Sequence, residues 1–163
     1  AMLLMGYAAD GTNYDINGLY KAASNTKAGS DWATATAIAT TVNGAVAELI
    51  ADNIKKPYNM MLAPEQFTYT SAFIGTTAVT YRQWIEQEIG GTVDWSPVLS
   101  AGTGLVTKAD PTGAFEYVLA EDITSETEIT DKKSGNNLFG RVYVRGLPIV
   151  YDGNALCTMT GLT

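Results

Sequence analysis

From Asp31 to Ile54 the apolar residues Trp32, Ala35, Ile38, Ala39, Val42, Ala45, Val46, Leu49 and Ile50 recur at intervals of three and four. That spacing places them on one side of an α-helix. One long amphipathic helix is therefore predicted, with Ser30 or Asp31 as its N-cap. Its other positions are mostly Thr, Asn and Ala, which suits a helix covered over much of its circumference better than one facing water. The rest of the chain has to be arranged around this element.

Upstream, Leu3 to Tyr20 is dense in turn formers, among them Asp10, Gly11, Asn13 and Gly18, and reads as a loop leading in from a preceding element. Downstream, Pro57 stops the helical region, and Asn59 to Leu62 is a short apolar run with the pattern of a buried strand. Pro64 then fits the first turn of another helix. Thr80 to Ile89, with Tyr81, Trp84, Ile85 and Ile89 on one face, is predicted to be a further helix closed by Gly90 and Gly91. After Pro97 the period changes from helix to strand. Leu105 and Val106 make a short strand, Asp110 to Gly113 a turn, and Phe115, Tyr117 and Leu119 the inward side of the next strand. Ile123 to Ile129 is acidic and alternating, Lys132 to Asn137 signals a hairpin loop, and Leu138 to Tyr151 carries Phe139, Val142, Val144, Ile149 and Val150 around Pro148. A helix, a strand, short helices and then antiparallel strands indicate an α+β domain, not a doubly wound sheet. There is no internal repeat and no low-complexity tract.

At 163 residues and 46% hydrophobic content, one domain is expected, burying roughly 70% of its unfolded surface. Seventeen acidic against ten basic residues give a formal charge of −7 and a pI near 4.4. A field of that sign repels phosphate backbones and anionic lipid. Neither membrane binding nor nonspecific nucleic-acid binding is expected, and no sequence-specific nucleic-acid partner is expected either. Only 17% of residues are charged, below the roughly 25% of an average soluble domain, so neighbouring molecules are expected to cover part of the surface. The single cysteine, Cys157, rules out an intrachain disulfide and favours a cytoplasmic origin. No apolar run approaches the roughly 20 residues of a membrane-crossing helix. Ala1 to Met5 lacks the basic start and apolar length of a signal peptide. Ala1 and Met2 read as a cloning scar or cut site, and the abrupt apolar start suggests a fragment with partner sequence upstream.

Catalytic chemistry is constrained by the absence of histidine. That removes the usual general base, the commonest metal ligand and every Ser-His or Cys-His pair. Cys157 alone cannot build a zinc site and reads as a buried small hydrophobe. Ala101 to Gly104 lacks the following glycine and helix of a phosphate cradle. Glu116, Glu121, Asp122, Glu126 and Glu128 match no calcium loop, and read as a solvated face or as partners for Arg and Lys on a neighbouring chain. Tyr69, Tyr81, Trp84 and Trp95 read as core or interface anchors. Lys55, Lys56, Lys132 and Lys133 are isolated pairs at element ends, not a basic stripe with interleaved aromatics. No catalytic, cofactor-binding or metal-ligating residue is expected.

The order of these features resembles the shell proteins of the Hong Kong 97 type, the tailed-phage major capsid proteins and the related encapsulins. Gly11 to Tyr20, ending in Asn17, Gly18 and Leu19, is similar to the turn after the family's spine helix. The Asp31 to Ile54 helix followed by Tyr58 to Leu62, Pro64 and Phe67 is similar to its helix, short strand and helix start. Tyr81 to Ile89, Gly90 to Val93 and Trp95 to Leu99 resemble its helix, glycine break and strand before a proline. Gly113 to Ile123 resembles the encapsulin run of an aromatic strand leading to an acidic pair and an aliphatic. Arg141 to Arg145 and Pro148 to Ala155 look like the final strand pair.

The resemblance implies a truncated α+β capsid fold without N-terminal arm or extended loop. Residues 1–20 would be the end of the spine helix and the loop after it, 21–145 mainly the axial domain, and 146–163 a return strand to the peripheral domain. It implies a non-enzymatic shell subunit, a major capsid protein of a tailed phage or prophage whose icosahedral head encloses DNA. An encapsulin shell around a cargo enzyme is the alternative, and a small ligand-binding or hydrolase domain a second. The partners would be copies of the chain itself, in pentamers and hexamers, with packaged DNA or cargo protein contacted only indirectly. The location would be the virion, assembled in a bacterial or archaeal host cytoplasm. Thr68 to Thr77 and Ala101 to Thr103 would form the edge facing a symmetry axis. Without the arm and loop, lattice contacts are lost and the fragment is not expected to assemble efficiently alone.

Overall fold

The structure is a computed structural model that describes residues 18–129 and 138–163. Leu3–Asn17 of the lead-in loop and the hairpin loop Lys132–Asn137 lie outside the described residues.

A four-residue helix, α1 (Leu19–Ala22), leads into strand β1 (Asn25–Ala28). The long helix, α2, runs from Ala35 to Ala51, starting later and ending earlier than its apolar period predicts. At its start, Asp31 Oδ1 accepts the N–H of Ala33 at 2.9 Å, a local turn, and the Trp32 N–H donates to Thr163 O at 2.8 Å. Asp31 is thus spent on that turn, and Thr34 becomes the cap residue. At its end, Asn53 takes a left-handed conformation (φ 62°) and Ile54 N–H returns to Leu49 O, which closes the last turn.

Strand β2 (Tyr58–Leu62) feeds α3 (Pro64–Tyr69), with Pro64 in the first turn as expected. Helix α4 (Tyr81–Ile89) begins at a capping box in which Thr80 accepts from Gln83 N–H while the Gln83 side chain accepts from Thr80 N–H. It ends at Gly90 with φ 71°, a conformation that costs a β-carbon-bearing residue. Then follow β3 (Val93–Trp95), β4 (Gly104–Lys108), β5 (Phe115–Ile129), β6 (Leu138–Val150), a short 3₁₀ turn (Gly153–Ala155) and β7 (Leu156–Thr160).

Five of these strands form one mixed sheet in the order β1-β7-β4-β2-β3. The outer pairs β1–β7 and β2–β3 are parallel, and β4 pairs antiparallel with both β7 and β2. Because side chains alternate across a strand, Tyr58, Met60, Leu62, Val93, Val106, Cys157 and Met159 share a face, which packs against α2 and α4 through Ile38, Val42, Ala45, Leu49, Tyr81, Ile85 and Ile89. The opposite face carries Leu105 and Leu156, which pack with Leu19, Ala63 and Leu99 in a second cluster. Strand β1 has no apolar alternation. Pairing with β7 decides it, including a 2.9 Å bond between the Thr26 and Thr158 hydroxyls.

Strands β5 and β6 form a separate two-stranded antiparallel sheet, registered from Phe115↔Val150 to Ile129↔Leu138. Of the expected inward residues Phe115, Tyr117 and Leu119, only Phe115 is half-buried, whereas Tyr117 and Leu119 are exposed. Phe115 and Val150 at the base of the hairpin pack against the second cluster, whereas Tyr117 and Leu119 lie beyond it. The N–H groups of Tyr151 and Asp152 both donate to Ala114 O, so the chain rejoins the body where it left. β7 lies inside the five-stranded sheet, between β1 and β4, and β5 and β6 form a sheet of their own.

Candidate assembly surface

The two stretches singled out as an axis-facing edge, Thr68–Thr77 and Ala101–Thr103, are joined by one buried side chain between them. Gln66, in the middle of α3, donates from Nε2 to Leu162 O at 2.6 Å and accepts at Oε1 from Gly102 N–H at 3.0 Å. Leu162 N–H returns to Gly102 O at 3.0 Å, and Ala63 N–H donates to Thr103 O at 3.1 Å. Gly102 has φ 78° at the tip of that turn. Gln66 thus fastens the 101–103 turn and the chain's last residues to α3, with its own amide satisfied at both ends. Nothing in the local pattern marks it, since a Gln in the first turn of a helix is ordinarily a surface residue.

Beyond α3 the chain doubles back on itself. Ile74 N–H bonds Val79 O at 2.9 Å, Thr77 N–H and hydroxyl both bond Ile74 O, and Phe73 bridges to Thr80. Tyr81 N–H donates to Ala72 O and Arg82 N–H to Thr70 O, so α4 anchors the loop's return. The backbone is tied internally while the side chains at the tip face water: Phe73 is 63% exposed and Val79 38%. From Gln66 to Tyr81 there is no Asp, Glu, Lys or Arg. At the loop's base the Arg82 guanidinium lies over the Phe67 ring, 5.0 Å from its centroid, and pairs with Glu86 at 3.0 Å. The loop is thus tied internally, uncharged and apolar at its tip.

On the opposite side of the sheet from α2, a cleft of about 280 Å³ is walled by Leu19, Met61, Leu105, Phe115 and Pro111, with Asp94 and Lys108 among its polar residues. Asp94 already accepts the N–H of Trp95 at 2.8 Å. Convergent carboxylates, the sign of a hydrolytic site, do not line it. Among the described residues no group of three His, Cys, Asp or Glu is placed to hold a metal ion.

The remaining sequence candidates are scattered. Glu116 is exposed and accepts the Tyr151 hydroxyl, which holds that phenol above its ordinary pKa. Glu121, Asp122, Glu126 and Glu128 lie along β5. Tyr81 is buried, Tyr69 and Trp84 are half-buried, and Trp95 stands exposed on the edge strand β3. Lys56 pairs with Glu88 at 2.8 Å, Lys55 is exposed, and Lys132 and Lys133 lie outside the described residues. No helix among the described residues is long and apolar enough to cross a membrane.

Cys157 lies fully buried on the helix-facing side of β7. Burial, reinforced by the charge of Glu48 and opposed by Lys27, pushes its thiol from 9.0 up to about 11. Native protein at pH 8 is expected to resist alkylation by iodoacetamide and to take up label only in denaturant; rapid native labelling would contradict the burial. The unfolded thiol loses its proton first, so between pH 9 and about 11 the folded state binds more protons and this group's contribution to stability falls as pH rises.

Comparison with solved structures places this geometry in a fold class. The "virus-like particle from Pyrococcus furiosus" superposes with a TM-score of 0.72 at 11% identity, covering 83% of this chain and 55% of that one. "The capsid of Myoviridae Phage XM1" superposes with a TM-score of 0.73 at 8% identity, covering 99% and 59%. A chain of "Mycobacterium phage Che8" gives 0.62 at 14% identity, covering 83% and 52%. The chain spans little more than half the length of each. No curated protein sequence matches it. The α+β architecture is thus the Hong Kong 97 type capsid fold. Within that class, the profile of the Linocin M18 family, "Encapsulating protein for peroxidase", matches residues 3–137, and the chain belongs to that family.

Proposed function

We propose that the chain is a structural subunit of a self-assembling icosahedral shell, working by lattice contacts and not by catalysis. The observation that carries this reading is the likeness of 99% of the chain to a phage capsid subunit, joined to family membership over 3–137. The partners are then copies of the same chain in pentamers and hexamers, and the loop of residues 71–79 with the 101–103 turn faces a symmetry axis. Its uncharged, apolar tip supports that role, because like copies converging there meet no mutual repulsion.

The capsid of phage XM1 favours a phage or prophage head enclosing DNA; the family match favours an encapsulin shell around cargo protein. The two differ in what is enclosed, and so in location: a virion, or a compartment in the host cytoplasm. Expression from the natural reading frame, followed by light scattering and negative-stain electron microscopy, tests the shared reading. Closed particles of uniform size are expected, and a monodisperse monomer or dimer across a wide salt range refutes it. Nuclease-protected DNA inside the particles then selects the phage head, and co-purifying protein the encapsulin.

A further inference from the structure

Residues 160–163 run past the end of the β7 ladder, which stops at Met159 on the β4 side and at Thr160 on the β1 side. Beyond that point their backbone groups bond to separate parts of the chain. Thr160 O accepts the N–H of Gly29 at 2.7 Å, and Thr163 O accepts the N–H of Trp32 at 2.8 Å. Leu162 N–H donates to Gly102 O at 3.0 Å, and Leu162 O accepts from Gln66 Nε2 at 2.6 Å. The approach to α2, helix α3 and the 101–103 turn are thereby held by one short stretch.

Leu162 seats that stretch. Its side chain is fully buried and belongs to the helix-facing core cluster, with Trp32 and Met159. Gly161 takes φ 71°, a conformation that turns the chain out of the extended strand and suits glycine. Gly29 leaves the room: a Cβ there would collide with Leu162 Cδ2 and come within 3.2 Å of Thr41 Cγ2. The backbone of Gly29 is not left-handed, so the position calls for small size and not for conformational freedom. A close-packed interior has little void to absorb a displaced leucine, and passes the shift on to whatever the leucine holds.

We propose, resting on the shell reading above, that residues 160–163 are a strap that positions the 101–103 turn, so that Leu162 and Gly29 govern the axis-facing edge without forming part of it. Leu162 is a positioning residue that acts through Gly102 and Gln66. The strap also ties the edge to the start of α2, through Gly29 and Trp32, and a disturbance at that end reaches the turn.

Gly29→Ala tests this, because the atoms nearest its added methyl belong to Leu162 and Thr41 and none to the turn. Hydrogen exchange followed by mass spectrometry is expected to show residues 99–104 and 66–75 exchanging faster by on the order of tenfold, while 42–49 and 58–62 keep their protection. Leu162→Ala is expected to give the same pattern and carries the test if the first variant does not fold. Gly44→Ala is the control: its methyl presses on the Lys27 side chain and is expected to leave 99–104 unchanged. Unchanged exchange at 99–104 in Gly29→Ala and Leu162→Ala, or faster exchange spread evenly over the chain, overturns the strap. In negative stain the two loosened variants are expected to lose most of their closed particles, and a normal yield from either overturns the dependence of the edge on the strap. An unsubstituted chain that forms no particles refutes the shell reading instead, since the exchange measurement needs no assembly.

Discussion

Gln66→Leu lowers the unfolding free energy by about 2–4 kcal/mol, although Leu is apolar and the site is buried. The amide satisfies two backbone groups on separate segments, Leu162 O at 2.6 Å and Gly102 N–H at 3.0 Å. A leucine would strand both, and each orphaned group costs about 1–3 kcal/mol. The apolar gain cannot offset this, because it adds little area where the Gln stem already packs. Gln66→Glu is expected to be worse: it buries a charge and sets a carboxylate oxygen against the Leu162 carbonyl. Urea unfolding followed by tryptophan fluorescence measures both. A loss under about 1 kcal/mol for the leucine variant would mean that water replaces the amide and that Gln66 does not fasten the 101–103 turn.

Gly91→Ala is expected to cost about 3 kcal/mol, at the upper end of overpacking. A Cβ there would run into the Tyr58 carbonyl oxygen and come within 2.8 Å of Asn59 Oδ1. Neither atom can yield easily. The segment after Gly91 is pinned to β2, since Met60 N–H donates to Thr92 O at 2.8 Å and Thr92 N–H to Asn59 Oδ1 at 3.2 Å. Reduced freedom of the unfolded chain returns only about 0.4–1 kcal/mol. For a chain of this length the net loss corresponds to a fall in Tm of roughly 6–12 °C. Gly75→Ala is the control: φ is 57° but nothing lies within 4 Å of the added Cβ, so only the left-handed strain of about 1–2 kcal/mol applies. Equal losses at the two sites would show that the close approach of residues 58–59 to Gly91 is not the cause.

The elements with a strong period were legible: α2, the β2-to-Pro64 step and α4 with its glycine stop all stand where spacing, caps and breakers put them, within a few residues. The order of those elements also carried the resemblance to the Hong Kong 97 type shell proteins, and the fold agrees with it. What local pattern missed follows from hydrogen-bonding partners far away in the chain. Asn25–Ala28 is polar and becomes a strand only because Leu156–Thr160 offers it a parallel edge. Asp31 is displaced as cap by its bond to Ala33, and Gln66 is buried because Gly102 and Leu162 need its two amide groups.

The direction of the hairpin was likewise out of reach. Alternation in Phe115, Tyr117 and Leu119 declares that one side is apolar, but not whether that side meets the chain's own core or another molecule. By itself the sequence determined the α+β class, the long helix, the absence of histidine-based chemistry and the division of charge between Phe115–Ile129 and Leu138–Val150. These are properties of spacing and composition along the chain. Only the tertiary structure decided that the last strand closes the middle of the five-stranded sheet and that β5 and β6 pair in a sheet of their own. Strand order and burial depend on contacts between residues more than a hundred positions apart, such as Thr26 with Thr158, which no local period encodes.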